Sequence, residues 1–435
     1  MSQRQVITVY EDRQTKLKLS EGQVRDLLAL KDILGSQNLV LQADGTFRLQ
    51  RYVGFIVKNQ ISLQVLPKIF QEDNPAKNSQ METECSTDLL FRLLAYSDFI
   101  NVKELPEPQE VLKFNYDLLE IFISLFARRF LQLFGVDPHR QYQARNENMQ
   151  FIKGKILFQE SLRYNSFKKH LHYVVYDEYA LDNPLNQIFK AILLQLIRAT
   201  KSAENKANIK NALNMLEEVQ TVVLNPTVMN AITFNRLNKR YEPLYNLAKL
   251  FYHNYQPGFK EGDANTFSFL VPLNKLFEKV VLTIVEKSVE GLASGQFEVR
   301  YQKPAKHLAR SSSGPVFQLQ PDITILNKDK VEVILDAKYK NPISNGKVSV
   351  NEADLYQMLA YAVAYKCRNI YLIYPVFKTS WGISSREKFF LDEFFIEQEG
   401  VKIRIALLQL DITQPDFSGL VESMQDELRG CLSKL

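Results

Sequence analysis

Cysteine is scarce in this chain of 435 residues. Cys85, Cys367 and Cys431 are the whole complement, far apart and without C-x-x-C spacing. That excludes a cysteine zinc site and a disulfide scaffold, and it suits a reducing cytoplasm, the expected location. Histidine is also sparse: five are present, and none follows His307. Chemistry built from the residues after 307 must therefore work without one. No G-x-x-x-x-G-K-[ST] occurs, so no bound nucleotide is expected and any nucleotide motor must be another chain. Long apolar runs are missing too. The N-terminus MSQRQVITVYEDRQ has no apolar h-region. The most apolar stretch, Leu118 to Phe134, is broken by Glu120, Arg128 and Arg129. Its Phe114, Leu118, Ile121, Phe122, Leu125 and Phe126 follow helical spacing with one buried face, which predicts a core helix and no membrane partner. Neither charge sign dominates, the formal net charge being +5, so contact with a polyanion would need a local patch.

What is present is ordinary for a globular protein, 46% hydrophobic and 24% charged residues, over a length that accommodates two or three domains. Residues 1–86 read as a β-rich domain with a linker. "FRLQRYVGFIVKNQISLQVLPKI" holds two alternating runs joined by Lys58-Asn59-Gln60, a hairpin pattern. Polar residues 71–86 lack apolar periodicity and form the linker. Residues 87–262 are mainly helical, with short β-like stretches at "MQFIKGKILF" and "LHYVVYDEYA". A Pro/Gly-bearing segment around Pro257 marks the boundary to residues 263–435 and predicts a C-terminal core independent of residues 1–70. There the order reads helix (272–292), strand (297–302), strand (316–326), strand (331–338), helix (351–366), strand (369–375) and a late strand (402–411). The expected fold is α/β, α+β overall, with a C-terminal mixed sheet flanked by helices.

The charged residues of "PDITILNKDKVEVILDAKYK" (321–340) are oddly placed. A buried strand, Val-Glu-Val-Ile-Leu, runs straight into Asp336 and Lys338, and burying either charge costs several kcal/mol unless it is paired or metal-bound. A bare D-x-K is most often a surface ion pair. Asp336 and Lys338 share one face of the strand. Pairing Asn327 with Val331 across the preceding turn sets Asp322 opposite Asp336. A register one residue off parts the two acids unless a bulge intervenes. Two converging carboxylates beside a lysine fit phosphodiester hydrolysis: hard oxygen ligands for Mg²⁺, with Mn²⁺ as an alternative, and an ammonium to orient water or stabilise the phosphate. In "SVNEADLYQMLAYAVAY", Ser349 and Glu352 have capping-box spacing, and Gln357 and Tyr361 share a polar face with Asp354. That stripe faces the site, the DNA backbone or simply solvent. Glu278, in "NKLFEKVVLTIVEK", is a third metal-ligand candidate. Arg300, Lys303, Lys306 and Arg310 lie in a predicted basic loop, and with Lys340 they are candidate phosphate contacts.

Pro321-Asp322 followed by Asp336-Ala337-Lys338 resembles the PD-(D/E)XK nuclease motif, with Asp in place of the commoner Glu, and Gln357 and Tyr361 match a Q-x-x-x-Y extension of it. Taken together, "GFIVKNQISLQVLPKI", "DEYALDNPLNQIFKAIL", "FNRLNKRYEPLYNLAKLF", "LFEKVV", "PDITI", "LDAKYK" and "DLYQMLAYA" resemble the McrC family, the nuclease subunit of the McrBC modified-cytosine restriction system. The resemblance spans about 50–375 and implies a PD-(D/E)XK nuclease domain over 263–435. It implies a Mg²⁺-dependent endonuclease acting on double-stranded DNA only with a separate AAA+ GTPase of McrB type, whose GTP hydrolysis it stimulates. The N-terminal domain would then bind that partner, with Arg51, Lys58, Asn59 and Gln60 as candidate contacts at a basic edge that also includes Arg48 and Lys68. A β domain that only packs on the helical middle is the alternative. Two other functions remain open: a nuclease-like assembly protein without activity that only regulates the GTPase, and a stand-alone repair nuclease. The intact Asp322, Asp336 and Lys338 set favours cleavage over the first. The long region outside the nuclease domain argues against the second.

Overall fold

The computed structural model describes residues 5–28, 31, 37–58, 61–68, 79–97, 113–114, 116–256, 266–292, 296–344, 347–378, 389–398, 401–414 and 416–432. The fold is mixed α/β. It divides into two compact units, one of residues 1–108 with 269–435 and one of 109–268. The sequence reading places its boundaries instead after 86 and 262. The difference has a physical cause. In the first unit, Gln5–Tyr10 runs parallel to Ile61–Leu66, which pairs antiparallel with Tyr52–Lys58. That last strand lies next to Thr266–Pro272 in the same sheet. The N-terminal β region and the start of the C-terminal region thus share backbone hydrogen bonds, and Leu273 N–H donates to Arg51 O at 2.8 Å. This corrects the expectation of a C-terminal core independent of residues 1–70.

The same unit holds a six-stranded sheet in the order Phe297–Tyr301, Ile323–Asn327, Lys330–Ala337, Asn369–Pro375, Val401–Leu410, Phe390–Gln398. Its three middle strands from Lys330–Ala337 to Val401–Leu410 are parallel. Helix Glu352–Tyr365 makes the crossover between the first two, and its Met358, Tyr361, Ala362 and Tyr365 pack with Ile334, Leu372 and Ile405. Helix Leu273–Glu290 packs against strands Phe297–Tyr301 and Lys330–Ala337 and against helices Ser79–Tyr96 and Ser418–Leu432. Strands covered on both faces lose their polar alternation, which is why Val331 to Ala337 are all buried.

Several local expectations need correction. Ser79–Ser86, read as linker, opens helix Ser79–Tyr96. Its first turn is polar and shows no apolar stripe to a pattern search. The strand expected over 316–326 is two strands, Gly314–Leu319 and Ile323–Asn327, broken at Gln320-Pro321-Asp322. The cap of helix Glu352–Tyr365 is Asn351, whose side chain accepts from Ala353 N–H at 2.9 Å, and not Ser349.

In the second unit, helices Leu118–Val136, Pro184–Ala199, Ala203–Met215 and Glu242–Asn254 bury Phe122, Phe126, Phe130, Phe189 and Phe251. Glu120 is buried in the most apolar helix and is satisfied there by the Thr200 hydroxyl at 2.5 Å, Lys201 N–H at 2.6 Å and Asn205 Nδ2 at 2.8 Å. Among the described residues no helix is long and apolar enough to cross a membrane. A three-stranded sheet, Gln141–Met149, His172–Ala180 and Lys155–Ile156, completes the unit.

Candidate active site

The site forms where three elements of the first unit meet: the break before strand Ile323–Asn327, the end of strand Lys330–Ala337, and the polar face of helix Glu352–Tyr365. The register that brings the acids together depends on a bulge. At the turn, Asn327 pairs with Lys330 and Leu326 with Val331, the pairing that would part them. The ladder then shifts, so that Ile325 pairs with Val333 and Ile323 with Leu335. One step further, this register sets Asp322 level with Asp336. The extra residue is Glu332, whose carboxylate takes two 2.9 Å hydrogen bonds from Lys330 Nζ. Without the bulge, the turn's register would run on unchanged, set Asp322 opposite Leu335 and put the two acids on different faces.

Asp322 Oδ2 accepts from Ala337 N–H at 3.0 Å, fixing it across the strand pair. Asp336 is 1% exposed. Lys338 Nζ lies 2.6 Å from Asp336 Oδ2 and donates to Gln357 Oε1 at 2.9 Å. The Asp336 contact is an ion pair rather than an aligned hydrogen bond, because that oxygen has no donor in line with it. Gln357 Nε2 then donates to the Tyr361 hydroxyl at 2.9 Å, and Tyr361 donates to Gln320 O at 3.1 Å, two residues before Asp322. The helix face therefore points at the site, and its Gln and Tyr hold the lysine's orientation.

Electrostatics follow from this crowding. Burial first, then the Asp336 and Glu278 carboxylates, push Asp322 up to about 7. Burial also raises Asp336, with Lys338 opposing it. Burial disfavours the Lys338 ammonium, but the Asp336 carboxylate more than offsets it and leaves the amine above its ordinary value. Glu278 is buried on helix Leu273–Glu290, bound by Lys275 Nζ at 2.8 Å and approached by the Tyr301 hydroxyl at 3.3 Å and Gln302 Nε2 at 3.5 Å. Among the described residues, no three His, Cys, Asp or Glu side chains converge on a single metal position. Glu278 thus neighbours the pair without forming a ready three-carboxylate cage. Two carboxylates with excess negative charge, one carrying a buried oxygen without an aligned donor, fit a divalent ion that keeps several waters, as Mg²⁺ does.

The basic candidates behave differently from one another. The segment predicted as a loop is a hairpin, Lys306–Ser311 paired with Gly314–Leu319. Lys303 bears the carbonyl that accepts from the Thr324 hydroxyl at 2.5 Å. Lys306 Nζ is held by Ala364 O at 2.9 Å and sits over the Tyr365 ring, so it roots the hairpin. Arg310 is exposed on it. Lys340 is tied to Asp354, and Arg300 forms a fork with Glu298. At the N-terminal edge, Arg51 is exposed with φ of +68°, and its N–H donates to Glu11 at 3.1 Å. The Lys58 side chain, Asn59 and Gln60 lie outside the described residues.

Glu11 gives a pH prediction. Burial pushes it up to about 7, the Arg51 N–H opposing, against an ordinary value of 4.5. A carboxyl raised in the folded state stabilises below its unfolded pKa and loses that contribution as pH rises through 7. Glu11→Gln keeps an acceptor for Arg51 and removes the titration. It should match the parent near pH 5 and be more stable by on the order of 2 kcal/mol at pH 8. Thermal melts at the two pH values check this, and equal pH dependence would contradict it.

Two features outside the site escaped the sequence reading. In the second unit, Phe151, Ile152, Phe158, Leu162, Tyr164 and Phe167 stand exposed on and around helix Phe158–Asn165. The apolar i, i+4 pair Phe158 and Leu162 was the available signal. The same unit has a cleft of about 760 Å³ lined by His139, Arg140, Tyr142, Tyr179, Asn235 and Arg240, among others. None of the predicted site residues lines it.

A family model described as McrBC 5-methylcytosine restriction system component matches residues 47–375. The type IV methyl-directed restriction enzyme EcoKMcrBC of Escherichia coli (strain K12) is 22% identical over 260 residues, which are 58% of this chain and 74% of that protein. Two solved structures from Thermococcus gammatolerans share the fold. One, of McrB AAA+ hexamers with bound McrC, has a TM-score of 0.73 at 19% identity, over 98% of this chain and 100% of the matched chain. The other, of the McrBC complex, has a TM-score of 0.52 at 21% identity, over 66% and 88%. The chain belongs to the McrBC 5-methylcytosine restriction system component family.

Proposed function

We propose that the chain is the McrC-type subunit of a modification-dependent restriction system, a Mg²⁺-dependent endonuclease that cuts double-stranded DNA with a partner AAA+ GTPase. The observation that carries the cleavage reading is the juxtaposition of Asp322, Asp336 and Lys338 with the Gln357–Tyr361 relay behind the lysine. Asp322 and Asp336 would hold the metal, and Glu278 would contribute through water. When bound, Mg²⁺ supplies charge neutralisation at the phosphate and a water of lowered pKa. Asp336 and Gln357 hold the partly exposed Lys338 ammonium just past the end of the strand, where it can donate to a phosphate oxygen as negative charge builds. Burial of Asp336 keeps bulk water from screening that interaction.

The partner GTPase is read from the family and from the relatives described above. On the chain itself, the exposed apolar group around Phe158, Leu162 and Phe167 has the character of a protein-binding patch. It is a second candidate surface for that partner, besides the separate N-terminal edge at Arg51 in the first unit. A regulator without nuclease activity would not need the whole relay from Lys338 to Gln320. The test is cleavage of methylated DNA by the purified chain with and without the neighbouring AAA+ protein, GTP and metal. Mg²⁺ or Mn²⁺ should support cutting. Ca²⁺ should not, because its looser coordination polarises water less. Robust cutting in excess EDTA would exclude this mechanism.

A further inference from the structure

We infer that the hairpin Lys306–Ser311/Gly314–Leu319 is an arm that grips duplex DNA beside the scissile phosphate, an inference that rests on the nuclease reading and adds a named DNA-holding element to it. The hairpin's two strands form a sheet of their own. Every residue of the first strand is exposed, so the hairpin contributes little to a core. Its composition is one-sided: residues 302–321 include no Asp or Glu, yet carry Lys303, Lys306, His307 and Arg310. In a chain whose charges nearly balance, such a stretch complements a phosphate backbone.

Exposed apolar residues accompany the cations. Leu308 is 52% exposed and Phe317 is 72% exposed. The register joining His307 to Gln318 and Ala309 to Val316 sets these two level with each other. Phe317 also takes a φ of +57°, a conformation that a bulky aromatic rarely adopts. Apolar side chains on a basic ribbon match the way DNA-binding ribbons press into a groove while cations hold the flanking phosphates.

The arm is rooted on the catalytic layer. The Tyr365 hydroxyl contacts Pro304 O at 2.6 Å and Leu319 O at 2.8 Å, and Lys306 binds Ala364 O. From Leu319 the chain reaches Asp322 in three residues, with Gln320 O held by Tyr361. DNA held by the arm therefore lies next to the metal-binding carboxylates.

The test uses the full chain, a fluorescent duplex and anisotropy in EDTA, with cleavage read separately in Mg²⁺ with partner and GTP. Arg310→Ala should weaken duplex binding severalfold and reduce the salt slope by about one. Leu308→Ser combined with Phe317→Ser should weaken binding comparably with the salt slope unchanged. Both sites are exposed, and unchanged melting confirms the fold. Duplex affinity within twofold of the parent in both variants overturns the arm. So does retained affinity with lost stimulation of the partner GTPase, which would make the hairpin a protein-docking element. Parent protein that binds duplex through these residues but never cuts it would refute the nuclease reading while leaving the arm standing.

Discussion

Lys338→Ala should reduce partner-dependent DNA cleavage by a factor of about 10²–10³ or more while the protein keeps its fold and its stimulation of the partner GTPase. The magnitude follows from what the ammonium touches. Its Nζ is 2.6 Å from a carboxylate oxygen that is buried and without any aligned hydrogen-bond donor, and 2.9 Å from Gln357. Removing it takes away a fixed positive charge where the phosphate would gain negative charge, and it leaves Asp336 beside Asp322 without a counter-ion. Asp336→Asn is the companion variant. It keeps the volume at a position 1% exposed, so it tests charge rather than packing, and it should lower both cleavage and Mg²⁺ binding. Gln357→Leu should cost less, because the lysine keeps Asp336. Its signature would be a changed pH profile for cleavage rather than total loss. Cleavage at the parent rate by either Lys338→Ala or Asp336→Asn would remove these residues from the site.

Much of this site was legible because its residues sit within a short span of sequence. Asp322, Asp336 and Lys338 lie on two adjacent strands, and alternation alone puts the last two on one face. The register was not legible. It turns on a bulge at Glu332, and nothing in Val-Glu-Val-Ile-Leu distinguishes a bulged residue from a regular one until its lysine partner and the next strand are in place. The first strand of the hairpin before Asp322, Lys306–Ser311, was read as a loop because every one of its residues is exposed, so no apolar alternation marks it. Glu278 could be placed on a helix, but its distance from the acids depends on how that helix packs on the sheet. The domain boundaries failed for a related reason. Tyr52–Lys58 and Thr266–Pro272 are separated by some two hundred residues of chain and still lie in one sheet, and local pattern has no access to that pairing.

Gly54→Ala tests that long-range pairing, and it should be among the most destabilising single substitutions in the first unit. Gly54 has a φ of +129°, a conformation that residues with a Cβ rarely adopt, and a Cβ added there would lie 2.0 Å from Phe269 O and 3.0 Å from its carbonyl carbon. The obstacle is backbone of the neighbouring strand, so no side chain can rotate away. Strand Tyr52–Lys58 or strand Thr266–Pro272 has to move, and the Phe55–Phe269 ring contact at 5.7 Å moves with it. Strain and lost ladder bonds together should cost on the order of 3–5 kcal/mol, a large share of a typical domain's net stability. Gly314 separates the two causes. Its φ is +127°, but nothing lies within 4 Å of the corresponding Cβ position, so Gly314→Ala carries backbone strain without the clash. Gly54→Ala should melt well below Gly314→Ala, and hydrogen exchange should quicken along Leu273–Glu290, whose first amide is held by Arg51 O. Because that helix carries Glu278, cleavage should fall with stability even though residue 54 touches no site residue. Equal melting temperatures for the two glycine variants would show that the approach of these strands is looser than the structure places it, and that residues 1–70 do not brace helix Leu273–Glu290 and the six-stranded sheet it packs on.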